Sequence, residues 1–357
     1  MKFTKKILLL FFVVFLFGVT ESSYAQLNRK KIRKNNKKMS SFKGKKNNFS
    51  ADKKYNSIGI TLNALNYFGD LSPKSGALST DISFTRPGFG IDFAHRFGPR
   101  YTLKASFLYG TIKGDDFESA DPTDKDARFR YVRNLQFRNR IKELTVVGVF
   151  DLFKNEASYI SRVQFTPYTY IGLTVFHHNP QAYVGEDSGL PEAGTWVDLE
   201  PLGTEGQYST LDATDVNSGI KPYKQIQFAI PFGIGGRYRL NQVFDLSVEF
   251  GIRYTFTDYL DDVSQNYVDP SKLNSDLARY LADRSGEANA AVSGSPRNFE
   301  LINAAAGDRN GDGIFDGYGN EGEYNLRGGK DDNDVYFVTT IRVAYIIGAT
   351  FTRAKFR

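Results

Sequence analysis

QIQFAIPFGIGGRYRLNQVFDLSVEFGIRYTFT, residues 225–257, reads as two long β-strands joined by a tight turn. In the first half Ile226, Phe228, Ile230, Phe232, Ile234, Tyr238 and Leu240 occupy the even positions. Gln225, Gln227, Ala229, Gly233, Arg237 and Arg239 stand between them. After Asn241-Gln242 the pattern resumes, with Phe244, Leu246, Val248, Phe250, Ile252, Tyr254 and Phe256 alternating with Asp245, Ser247, Glu249, Arg253 and Thr255. A period of two over such a length specifies strands, since a helix returns its apolar groups every third or fourth residue. Strands of soluble sheets usually end after about five or six residues, whereas a membrane-crossing strand needs roughly 9–11. A sandwich core would not accept Glu249, Arg237 and Arg253 on the face opposite the oily one. The pattern predicts an all-β fold: an eight-stranded antiparallel transmembrane β-barrel of the outer-membrane kind, apolar outside and polar inside.

Working outward, six further alternating segments join this pair, giving predicted strands at 56–68, 87–97, 100–112, 140–152, 159–176, 225–240, 243–257 and 334–351. Gly98-Pro99, the turn around Lys154, Asn155 and Glu156, and Asn241-Gln242 make short connections. The intervals 69–86, 113–139, 177–224 and 258–333 make long ones. Strict alternation of short and long is the outer-membrane rule of short periplasmic turns and long external loops. With an even number of strands, both termini are expected in the periplasm. Eight strands leave a lumen just wide enough for side chains. The expected inward charges are Asp92, Arg96, Lys104, Glu143, Arg237, Glu249, Arg253 and Arg342. Their mixed signs predict a hydrogen-bonded plug and not a pore, because an unpaired charge there would be costly.

The chain opens with Lys2, Lys5 and Lys6, an apolar run from Ile7 to Phe17, and Ser23-Tyr24-Ala25 ahead of Gln26. This predicts a signal peptide over 1–25. Residues 26–54 form a basic segment, expected to be disordered, with twelve Lys or Arg, among them Arg29, Lys30, Lys31, Arg33, Lys34, Lys37 and Lys38, against the single acid Asp52. Setting aside these and the leader's charges leaves 31 cations against 38 acids, so the barrel portion, 55–357, carries −7 although the whole chain is at +6. Secretion excludes a nucleic-acid role. The basic segment is expected to meet anionic lipid, cell wall or an acidic protein, or to act as a solvated linker. The chain has no cysteine, which removes disulfides, thiol chemistry and an acylated-cysteine anchor.

Candidate chemistry is sparse. His95, His177 and His178 are the only histidines, and adjacent residues on a strand face opposite ways, so they do not make a metal set. Asp308, Asn310, Asp312, the Ile314 carbonyl and Asp316 have the alternate spacing of the first half of a calcium loop. The place of the closing bidentate Glu is taken by Gly319, however, and Asp, Asn and Gly are also ordinary turn formers. Calcium is the one cofactor the sequence suggests. No small-molecule substrate or enzymatic activity is expected.

Five runs resist a reading by periodicity alone: Asn66-Tyr67-Phe68-Gly69-Asp70-Leu71; Pro167-Tyr168 with Phe176-His177-His178-Asn179-Pro180; Pro201-Leu202-Gly203-Thr204-Glu205-Gly206-Gln207; Thr257-Asp258-Tyr259-Leu260-Asp261-Asp262-Val263-Ser264; and Asn325-Leu326-Arg327-Gly328-Gly329 with Asn333-Asp334. In this order they resemble the PorG family of outer-membrane barrels, over most of the chain from about Tyr55 to Phe351. That resemblance implies a barrel of the type IX secretion and gliding machinery, associated with the periplasmic ring of the PorK lipoprotein and PorN. The basic segment and the 308–316 run have no place in the family pattern. It supplies no catalytic residue. The expected function is therefore a non-enzymatic anchor, with Lys154, Asn155, Glu156 and the Arg29–Lys46 cluster as contacts. The alternative is a surface-recognition barrel that binds a ligand or protein through its external loops.

Overall fold

The computed structural model describes residues 49, 53–71, 82–125, 127–308, 311, 314–330 and 332–347. The predicted leader, most of the basic segment and the extreme C-terminus lie outside them.

Eight strands close into a barrel: β1 (Tyr55–Phe68), β2 (Arg86–Arg96), β3 (Tyr101–Asp115), β4 (Gln136–Asp151), β5 (Phe165–His177), β8 (Ile226–Arg239), β9 (Phe244–Thr255) and β10 (Val335–Ile347). Each is antiparallel to its neighbours in that order. The wall closes where β1 meets β10, from Asn56 opposite Ile347 to Phe68 opposite Val335. The short strands β6 (Pro180–Tyr183) and β7 (Trp196–Asp198) form a hairpin that hangs on the start of β4, with Arg138 opposite Gln181. No helix among the described residues is long and apolar enough to cross a membrane. The strands do the crossing.

The alternation read from the sequence is the alternation of burial. Ile60, Phe89, Leu173 and Ile234 are each more than 60% exposed on the outer wall, while Lys104, Glu143 and Glu249 are buried within. A continuous exposed apolar band on a closed sheet is stable only in lipid, where every backbone group finds its partner inside the wall. The fold is that of an outer-membrane β-barrel.

Two boundaries differ from expectation by four residues or more, and β3 runs three residues further than predicted, to Asp115. β4 begins four residues earlier than predicted, at Gln136, because the barrel continues upward beyond the apolar band to meet β6. β5 begins at Phe165 and not at 159, because Tyr159–Ser161 make a 3-10 turn. Arg162 fixes that turn: it reaches Asp245 at 2.6 Å and the Gln242 carbonyl at 2.9 Å, holding this connection against the β8–β9 turn. The long connections are themselves folded. They carry α1 (Asp116–Ser119), α2 (Arg128–Arg133), α3 (Asp276–Ala282) and α4 (Phe299–Ala305) as well as the β6–β7 hairpin. Asn298 and Ser275 cap the last two helices, with side chains accepting from Glu300 N and Leu301 N, and from Ala278 N.

Candidate functional site

The lumen is filled by a ladder of ion pairs. Near the short-turn end Asp151 takes Arg96 on one oxygen, at 2.6 Å, and Arg237 on the other. In the middle Lys104 Nζ donates to both oxygens of Glu249, at 2.5 and 2.7 Å, and Tyr168 adds its hydroxyl at 2.8 Å. Arg342 grips Asp92 with two nitrogens. Higher up, Glu143 accepts from Arg253 Nε at 3.0 Å, Tyr336 at 2.9 Å and Thr145 at 2.6 Å. All eight interior charges named from the sequence thus lie in the lumen and are paired with one another or with Asp151. Asp151 and Asp245, with Arg162, complete the set. The two acids occupy inward positions of the same alternation, so the signal for them was present.

Above the lumen, the runs that resisted periodicity, apart from Pro167-Tyr168 in the barrel wall, come together in one buried network. Its centre is Arg327. This guanidinium donates to Glu205 Oε1 at 3.1 Å, the Ala282 carbonyl at 3.1 Å and the Asp262 carbonyl at 2.5 Å. The same Glu205 oxygen accepts the backbone amides of Ser264 and Gln265, at 2.9 and 3.1 Å. Asp262 accepts the hydroxyls of Thr204 and Tyr223 at 2.6 and 2.7 Å. It also holds a left-handed backbone at φ 69°, a conformation Asp tolerates better than most residues. Burial pushes its carboxyl up to about 6, against the pull of Arg327.

Arg133 links this centre to the first strand. It pairs with Asp116 at 2.8 Å and donates to the carbonyls of Arg327 and Asp70 at 2.8 and 2.7 Å. The Asp70 carboxylate in turn accepts Gly329 N at 2.9 Å, and a Cβ on neighbouring Gly328 would sit 2.5 Å from Asp70 Oδ2. Only glycine allows that approach. The second run joins through Asn139, whose amide donates to the Leu260 carbonyl at 2.7 Å and whose oxygen accepts Asn179 N at 2.8 Å. His178, beside it, is fully buried. Its Nε2 lies 3.1 Å from the Lys224 carbonyl, its ring stacks on Tyr223, and burial lowers its pKa to about 4.

Between network and lumen, the Tyr67 hydroxyl lies 2.7 Å from Asp261 Oδ2 and 2.5 Å from Asp334 Oδ1. A phenol has one proton to give. The second short contact therefore requires a proton on one of the carboxyls. Burial first, and then the neighbouring acids, raise the pKa of both Asp261 and Asp334 well above the usual range. The arrangement is a clasp: buried charges and protonated acids fix four long connections onto the barrel mouth.

At the opposite end the β4–β5 turn holds the remaining contact candidates. Lys154 is exposed, Glu156 is half-buried, and the two are paired with each other. Asn155 is buried; its Oδ1 accepts Ala157 N at 3.1 Å while its own N–H donates to the Pro99 carbonyl at 3.0 Å. It holds the turn in shape and presents little of itself outward. Arg29, Lys30, Lys31, Arg33, Lys34, Lys37 and Lys38 lie outside the described residues, as do Asn310 and Asp312 of the candidate calcium loop. Asp308 Oδ1 accepts Gly311 N at 2.6 Å, and Asp316 N donates to the Gly307 carbonyl at 2.8 Å. No three His, Asp or Glu side chains among the described residues are grouped to hold a metal.

A family described as Domain of unknown function (DUF6089) matches residues 45–193, which take in β1 to β6. No curated protein matches. Among solved structures, the attachment invasion locus protein Ail of Yersinia pestis is similar over 82% of this chain and 97% of its own, at 9% identity and TM-score 0.30. The N-terminal β-barrel domain of Pseudomonas aeruginosa OprF covers 82% and 99%, at 8% and 0.29. A major outer membrane protein of Thermus thermophilus covers 82% and 99%, at 11% and 0.34.

Proposed function

We propose that this barrel is a non-enzymatic outer-membrane anchor, which couples a periplasmic secretion-system ring of the type IX kind to the membrane. In this reading the long connections face outward and both termini face the periplasm, where the ring resembles the PorK lipoprotein with PorN. The observation that supports it is the meeting, in one buried network, of the runs that resemble the PorG family. Segments from Tyr67 to Asp334 are held together by one set of hydrogen bonds. The filled lumen agrees, since it leaves the surfaces at the two ends to carry the function. At the short-turn end Asn155 and Arg162 tie the three turns into one surface, on which Leu152, Phe153, Ile160 and Val163 are exposed.

The test is recovery of the tagged full chain from gently solubilised envelope, with its companions identified by mass spectrometry. A ring lipoprotein and its partner should come down in fixed ratio, and deletion of 27–54 should weaken that recovery while the barrel stays folded. A barrel recovered alone would overturn the reading. One observation favours the alternative, a surface-recognition barrel: the long connections form a folded cap on which Tyr208, Tyr324 and Leu326 are exposed.

A further inference from the structure

On the outward positions of the eight barrel strands, the exposed and half-exposed side chains are apolar or uncharged with four exceptions, and all four are cations in one place. Lys113 stands near the long-loop end of β3. Arg138, Arg140 and Lys142 occupy three successive outward positions at the same end of β4. The register joins them into a single patch: Lys113 lies opposite Arg138, and Thr111 opposite Arg140. Directly below come Tyr109, Phe107, Leu144 and Val146 of the same strands, with Val175 and Leu173 of β5. The cations therefore sit at the upper edge of the apolar band. On β3 the band from Tyr101 to Tyr109 is about 26 Å along the strand at ~3.3 Å per residue, which a tilted strand shortens to the height of a hydrocarbon layer.

Two of the four are committed elsewhere. Lys113 pairs with Glu118 at 2.6 Å. Arg138 donates to Gln181 Oε1 at 3.0 Å and lies 4.0 Å over the Trp196 ring. Arg140 and Lys142 are exposed and have no ion pair or hydrogen bond among the described residues. Like charges on neighbouring outward positions repel each other, so a fold gains nothing from this row by itself. An anionic partner held at the level of the lipid headgroups supplies what is missing.

We propose that Arg140 and Lys142, flanked by Arg138, bind the phosphate groups of an outer-leaflet glycolipid. Its acyl chains would lie against Leu144, Val146, Phe107 and Val175 below. Arg matches phosphate with paired N–H donors and Lys as a point charge. The inference rests on the long connections facing outward. That orientation puts the row in the leaflet that carries phosphorylated glycolipid; the reverse would put it among phospholipids.

The test uses the full chain in detergent, titrated separately with diphosphoryl lipid A, a dephosphorylated lipid A and phosphatidylglycerol, with bound lipid counted by native mass spectrometry. Diphosphoryl lipid A should bind best. The double variant R140Q/K142Q should lower its apparent affinity by about tenfold or more, since each surface cation contributes a several-fold preference for anionic lipid. Lys330→Gln, a loop cation away from the wall, should leave it unchanged. Both variants are accepted only where the unheated gel mobility of the folded barrel is retained. Equal binding by R140Q/K142Q and the native chain, undiminished binding of the dephosphorylated lipid, or equal binding of phosphatidylglycerol would each overturn the proposal. Labelling of loop residues on intact cells reports the orientation independently, so failure of one reading is distinguishable from failure of the other.

Discussion

Arg342 on the last strand reaches across β1 to Asp92 on the second, with Nε 2.7 Å from one carboxylate oxygen and a terminal nitrogen 2.5 Å from the other. The pair therefore braces the seam where the two ends of the wall meet. Removing one partner leaves a buried charge uncompensated, which typically costs about 3–5 kcal/mol. Asp92→Ala should lose stability of that order in urea unfolding from lipid vesicles, and the double variant with Arg342→Met should recover much of it. Equal losses in the single and double variants would show that the pair does not brace the seam.

Gly59 is what makes room for that pair. A Cβ at this position would lie 2.3 Å from Asp92 Oδ2 and 2.8 Å from Arg342 Nε. Gly59→Ala should thus destabilise the barrel by about 1–3 kcal/mol, the usual range for overpacking. In the Asp92→Ala background the added methyl has space, and the cost should shrink. The same urea titration checks both.

Arg327→Met should loosen the cap without opening the barrel. The substitution strands buried Glu205 and frees the carbonyls of Asp262 and Ala282. We expect a local loss of about 3–5 kcal/mol, seen as faster amide exchange at 201–207 and 257–266. Exchange in β1 and β10 should stay slow. Equal acceleration in the strands would mean that the cap and wall unfold together.

The cap should weaken as pH rises from 7 to 9. Burial lifts the carboxyl of Asp258 to about 9 and that of Asp262 to about 6. An acid with a raised folded pKa holds more protons in the native state than in the unfolded one. Its stabilising contribution is complete below about pH 4 and declines as pH climbs through the folded value. His178 has the opposite sign: lowered to about 4, it adds stability as pH rises from there to the ordinary histidine range. Of these groups only Asp258 still titrates above neutrality, and the slope is downward. Trp196, the chain's one tryptophan, lies in the β6–β7 hairpin, so its fluorescence during thermal unfolding reports the cap. Asp258→Asn should flatten the dependence between pH 7 and 9.

The wall was legible because lipid outside and ion pairs inside impose opposite demands on alternate residues, and that demand repeats at every step of β8 and β9. The same rule explains where it misled. Arg162, Val163 and Gln164 continue the polar and apolar alternation of β5 into the turn, so the predicted strand ran six residues too far. The cap obeys no period. Asp262 adopts a left-handed backbone, Gly328 yields to Asp70, and Arg327 serves three acceptors from distant segments; none of these has a local signature. Resemblance marked the runs as special, but their convergence on one guanidinium could be seen only in three dimensions. The β6–β7 hairpin was missed because strands of four and three residues are too short to establish a period.

The seam between β1 and β10 also sets a timetable. The strand that leaves the ribosome first, beginning at Tyr55, finds its second neighbour only when the chain has been delivered as far as Ile347. Until then its edge is an open row of donors and acceptors, the kind that recruits foreign strands. Closing so distant a contact is also slow. The barrel is therefore complete only when the last strand has arrived, and until then β1 keeps one side of its backbone unpaired.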